Sequence, residues 1–116
     1  MLAARMYGIN DLRVEEIPKP RIGPDEILVK VRAAAICGTD VRMLTSGAKG
    51  VDETHPLVLG HEFAGDIVEV GAKAAGYETG MRVAVAPNMG CGVCDLCVSG
   101  NGHLCPSYEA FGINMD

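Results

Sequence analysis

Tryptophan is absent from this 116-residue chain, and only two Phe and three Tyr are present. So thin a supply of ring faces argues against the stacking platforms that bind single-stranded nucleic acid. A net charge of -5 also argues against it, because phosphate backbones attract basic surfaces. No apolar run approaches the roughly 20 residues needed to cross a bilayer. The start, Met1-Leu2-Ala3-Ala4-Arg5-Met6-Tyr7, is too short and too soon interrupted for a secretory signal. A cytoplasmic protein with no nucleic-acid and no membrane partner is expected. No G-x-G-x-x-G follows a strand-like segment either, so the 116 residues offer no dinucleotide fingerprint.

What is present is cysteine, and it is clustered. Cys91, Cys94, Cys97 and Cys105 fall within fifteen residues, while Cys37 stands alone. An odd count without a secretory signal fits a metal cluster plus one further thiol better than a disulfide scaffold. The spacing C-x2-C-x2-C-x7-C brings four sulfurs within reach of one ion, and structural zinc takes four ligands in a tetrahedron. A glycine-rich segment of this length has no core of its own, so metal binding and folding of the lobe should be linked. An iron–sulfur cluster is the rival, but the bacterial ferredoxin run has a much shorter last spacing. His103 lies inside the lobe and is expected to stay in solvent, since four cysteines complete the site.

Strand signals are short and separated by turns. Leu12–Ile17 reads as a strand stopped by Pro18 and Pro20, and residues 26–33 alternate from Leu28 onward. Residues 38–44 read as a short helix with Thr39 or Asp40 as N-cap. Lys49–Pro56 is expected to be a loop, Phe63–Val70 and Met81–Ala86 strands, and Met89–Ser107 a loop without periodicity. The expected fold class is mostly β: a partly closed barrel with one short helix and a protruding zinc-binding lobe.

A second group is spread along the chain: Cys37-Gly38-Thr39-Asp40 and Gly60-His61-Glu62. Alone, Cys37 reads as a small buried hydrophobe and His61 as an ordinary imidazole. Together they offer a thiolate, an imidazole and a carboxylate, and catalytic zinc is held by three protein ligands with one open position.

Gly60-His61-Glu62-Phe63-Ala64-Gly65, followed by Gly71 and Ala74, resembles the signature of the zinc-dependent medium-chain alcohol dehydrogenase family. Ile36-Cys37-Gly38-Thr39-Asp40 resembles the segment giving that family's first catalytic-zinc ligand, and the four-cysteine lobe resembles its structural-zinc loop. The wording is closest to sorbitol, threonine and butanediol dehydrogenases. The resemblance implies a GroES-like barrel over residues 1–116, incomplete and joined in the whole enzyme to a Rossmann domain holding NAD or NADP. It implies one structural and one catalytic zinc, a small alcohol or polyol substrate, and a homo-oligomeric enzyme; the 116 residues alone are expected to be inactive. Cys37 and His61 would bind the catalytic zinc, with Glu62 a ligand or a nearby carboxylate that exchanges with water. Thr39 would hydrogen-bond the substrate oxygen and start a proton relay, and Asp40 would hold the unliganded nitrogen of His61.

The sequence departs from the family pattern twice. Arg42 stands where many relatives have a proton-passing His, and a guanidinium stays charged at neutral pH. Water or His55 would have to continue the relay, although His55 by itself reads as a loop histidine. Met81 stands where relatives carry Asp, which should remove a turn hydrogen bond. The competing functional class is a non-enzymatic binding or assembly module stapled by the lobe zinc, with Cys37 merely in its core.

Overall fold

The computed structural model describes residues 1–115. Two small antiparallel sheets, one helix and a lobe make up the fold, which is mostly β as expected; among the described residues the strands do not close into a barrel. The first sheet contains β1 (Leu2–Gly8), β2 (Asp11–Glu16) and β4 (Leu57–Val58), in the order β2-β1-β4. β1 was not marked by the sequence pattern, because its residues are mostly half-buried and do not alternate cleanly. A tight turn joins β1 to β2, with Asn10 in the left-handed region at φ 57°, which asparagine tolerates. The N–H of Asn10 donates to the carbonyl of Leu44 at 2.7 Å and docks the hairpin on the end of helix α1 (Gly38–Ser46).

Met6 of β1, Leu57 of β4 and Met43 of α1 form the main buried cluster, with Val51, Leu59 and Ile113 packed around it. Met6 is wholly inaccessible, and burying such a side chain stabilises a fold by about 1.5–3 kcal/mol. Arg13 of β2 pairs with Glu53 at 2.8 Å, tying the hairpin to the loop that precedes β4.

The second sheet, β3-β5-β6, positions the chemistry. It consists of β3 (Ile27–Ala35), β5 (Glu62–Val70) and β6 (Arg82–Ala84). β3 and β5 pair from Ile27↔Val70 to Ala35↔Glu62, with register shifts after Leu28 and after Val31 that offset each other. Register decides which residues face one another, since a one-residue slip moves every side chain to the other face. With Ala35 opposite Glu62, Cys37 two residues after the one and His61 directly before the other lie at the same end of the sheet.

α1 runs two residues beyond the expected Leu44 and ends at Gly47, whose N–H bonds the Met43 carbonyl at 2.8 Å. Its N-cap is Cys37, not Thr39 or Asp40. Asp40 sits at the third helical position, and its Oδ2 accepts the backbone N–H of Cys37 at 2.8 Å. That is the reaching-back half of a capping box, whose cap the sequence placed two or three residues too late.

The lobe, expected as a loop without periodicity over Met89–Ser107, contains short regular elements. β7 (Asn88–Met89) pairs with β8 (Glu109–Ala110) at its base. Within it lie α2 (Asp95–Val98) and a 3-10 turn at Gly102–Leu104. These turns are too short to show periodicity. At residue 81, where loss of a turn hydrogen bond was expected, the Met81 Sδ accepts the N–H of Glu78 at 3.3 Å.

Candidate metal centres

In the lobe the side chains of Cys91, Cys94, Cys97 and Cys105 point to one spot, with all four sulfurs within 4.8 Å of one another. Cys94 Sγ lies 3.8 Å from Cys105 Sγ. A tetrahedral ion with Zn–S bonds of about 2.3 Å holds its sulfurs about 3.8 Å apart, so the observed edge fits zinc. Backbone donors surround the cluster: the N–H of Cys91 points at Cys105 Sγ at 3.3 Å. The N–H groups of Val93 and Cys94 draw the Cys91 thiol down to about 6. Gly92 N–H pulls Cys97 the same way, but burial and the sulfurs of Cys94, Cys105 and Cys91 outweigh it and push that thiol up to about 12. Four crowded thiols cannot all ionise without a counter-charge, and a divalent ion supplies one. His103 is exposed in the 3-10 turn and is no member of the cluster.

The second centre joins two stretches of chain. Cys37, His61 and Glu62 bring ligand atoms within 4.8 Å of one another, Cys37 half-buried, His61 buried and Glu62 exposed. Asp40 lies against this group. Its Oδ1 faces His61 Nδ1 at 3.3 Å, and the two side chains are only 11% and 7% exposed. The contact lacks the alignment of a hydrogen bond, so both atoms are buried without a partner. Such atoms cost energy unless satisfied. A metal on Nε2 would make Nδ1–H the obligatory donor toward Asp40, the arrangement that orients metal-bound histidines. The buried pair and the donor set together fit zinc with an open position.

Asp40 therefore serves both the helix cap and the histidine, two roles that the sequence reading had divided between alternatives. Thr39 lies one residue before it at the start of α1, half-buried, and among the described residues its hydroxyl has no hydrogen-bond partner. Arg42 is exposed on the same helix. His55 is 78% exposed and bound to Asp52 and Thr54 through Nδ1. It lines a hollow of about 410 Å³ that none of Cys37, His61 and Glu62 borders.

An open hollow of about 440 Å³ does border His61 and Glu62. The remainder of its wall is apolar and mostly small, including Ala35, Phe63, Ala84, Val85 and Pro87. Sequence patterning did not mark these residues as a group, because they come from three strands and the segment after β6.

Residues 23–114 match the alcohol dehydrogenase GroES-like domain family. The chain is 44% identical over 109 residues to a sorbitol dehydrogenase of Bombyx mori, an alignment covering 91% of this chain and 31% of that protein. It is 43% identical over 105 residues to an L-threonine 3-dehydrogenase of Chelativorans sp. (strain BNC1), covering 89% and 30%. Galactitol-1-phosphate dehydrogenase from Escherichia coli superposes with a TM-score of 0.91 at 31% identity, covering 100% of this chain and 33% of that one. The chain thus spans about a third of the length of these proteins.

Proposed function

Because the chain belongs to the zinc-dependent medium-chain alcohol dehydrogenase family, as its GroES-like domain, we propose that it forms the metal-holding part of an NAD(P)-linked dehydrogenase for small secondary alcohols or polyols. Cys37, His61 and Glu62 hold the catalytic zinc, and Cys91, Cys94, Cys97 and Cys105 hold a structural one. The observation that carries this reading is the convergence of thiolate, imidazole and carboxylate from two chain segments beside an apolar hollow.

Bound there, zinc supplies a Lewis acid that lowers the pKa of a substrate hydroxyl. The chain's own residues do the rest. With a metal on His61 Nε2, the Nδ1–H would be left to donate to Asp40 Oδ1, which lies 3.3 Å away. Glu62, on the exposed side, serves as third ligand or as a carboxylate that gives way to water. The free hydroxyl of Thr39 accepts the proton of the substrate hydroxyl and passes it outward. Arg42 stays charged and cannot be the next carrier, and His55 lies outside the hollow, so water takes that step. Ala35, Phe63, Val85 and Pro87 pack against the carbon skeleton. NAD or NADP would supply the hydride acceptor; these 116 residues contain no dinucleotide fingerprint to hold it.

Metal analysis tests the assignment. The whole enzyme is expected to hold two zinc ions per chain, Cys94→Ser removing one and Cys37→Ala the other. Equal zinc content in wild type and Cys37→Ala contradicts it. The 116 residues alone are expected to make no NAD(P)H from alcohol, and production above a metal-free blank would overturn that part.

A further inference from the structure

We infer that Gly112 is a positioning residue for His61: its bare backbone is the surface against which the peptide entering the second metal centre rests. The inference depends on the reading of Cys37, His61 and Glu62 as a metal site.

His61 follows Gly60, whose φ of 110° lies in the region that side chains avoid. Nothing surrounds the place where a Cβ of Gly60 would stand, so conformation alone calls for glycine there. Gly112 differs. Its φ is 65°, and a Cβ on it would overlap the Gly60 carbonyl oxygen while lying 2.7 Å from the carbonyl carbon and 3.0 Å from the nitrogen. The two glycine backbones lie directly on each other, and Gly112 is buried.

Gly112 is held firmly enough to act as a support. Its own N–H bonds the Met115 carbonyl at 2.8 Å. Ile113 and Asn114 donate to the Ala110 carbonyl at 3.2 Å, and Asn114 Oδ1 accepts the N–H of Ala110 at 2.7 Å. Ile113 packs on the Met6–Met43–Leu57 cluster. Upstream, Ala110 is wholly inaccessible and pairs with Asn88. The turn is therefore fixed by its own hydrogen bonds, by the core and by the β7–β8 ribbon. A side chain at residue 112 would push on the Gly60 peptide, and the next residue is the buried imidazole that must face both Asp40 and the metal.

Cobalt(II) titration of the whole enzyme tests this without relying on turnover. A four-thiolate cobalt site and a one-thiolate site absorb differently, so each can be followed in one sample. Wild type should take up two cobalt ions, the four-thiolate site filling first. Gly112→Ala should weaken the one-thiolate site at least tenfold and leave the four-thiolate absorption unchanged. Gly76→Ala carries a similar φ, 83°, with nothing within 4 Å of its added carbon, and should change neither site. Equal affinity of wild type and Gly112→Ala for the second cobalt overturns the inference. If Gly112→Ala does not fold, Asn114→Ala decides, since it loosens the turn and adds no atoms. A weakening of at least threefold confined to the one-thiolate site supports the inference, and unchanged affinity overturns it. A wild-type whole enzyme that takes up only one cobalt refutes the metal site itself, and the inference falls with it.

Discussion

The two candidate metal centres are built in opposite ways. In the lobe, all ligands come from Cys91 to Cys105, and few apolar side chains support them: Val93, Val98 and Leu104 are 83%, 76% and 59% exposed. The second centre draws Cys37 from the end of β3 and His61 and Glu62 from the start of β5. It depends on strand register, on a helix cap and on a pair of stacked glycines. A local centre is assembled by its ion, because in a segment without a core metal binding supplies the folding energy. A distributed centre is assembled by the fold, which holds its side chains before any ion arrives. The ligand sets alone do not reveal this difference.

The strongest way to break the comparison is to take the lobe's metal away. Cys94→Ser, or a chelator, should abolish amide-exchange protection from about residue 90 to residue 105. The β3–β5 pairs from Ile27↔Val70 to Ala35↔Glu62 should keep theirs. Equal loss in both regions, followed by hydrogen-exchange mass spectrometry, would show that the lobe is no independent unit.

Asp40→Asn should have a smaller and opposite reach. The amide oxygen can still accept the Cys37 N–H, so α1 keeps its cap, while the carboxylate facing His61 is lost. Changing such an outer partner costs about tenfold to a hundredfold in metal affinity. Competition with a zinc indicator should show that loss at the second centre and none at the lobe; a loss at both would tie the lobe to Asp40.

The smallest effect concerns the loop between the two halves of the distributed centre. The Thr54 hydroxyl, with the backbone N–H groups of Thr54 and His55, holds the Asp52 carboxyl down to about 2. A carboxyl depressed in the folded state adds stability that is complete above its ordinary value of 3.8 and is lost as pH falls through about 2. Carbon-detected NMR of the Asp52 carboxyl should find its midpoint near 2. A midpoint near 3.8 would mean that the loop's hydrogen bonds do not form in solution.

How much of this was legible in the sequence follows the same division. The lobe could be read from spacing, since ligands close in sequence have little freedom to be far apart in space. Its inner turns, α2 and the 3-10 turn, were hidden because four or three residues carry no period. Cys37 and His61 could be paired only through a resemblance, for nothing in either segment states the β3–β5 register. The N-cap was misread because cysteine is a poor cap by type; the capping oxygen comes from Asp40, three residues on. β1 went unseen because Met6 is its single fully buried residue.

By itself, then, the sequence determined a mostly β chain with a four-thiolate lobe and a family signature at Gly60-His61-Glu62. It could do so because spacing, turn chemistry and motif are local properties, carried by residues near one another along the chain. Tertiary structure alone decided that Ala35 lies opposite Glu62, that the Asp40 carboxylate faces His61, and that Gly112 rests on Gly60. Each of these is a contact across many residues, set by how the sheets and the core fit together.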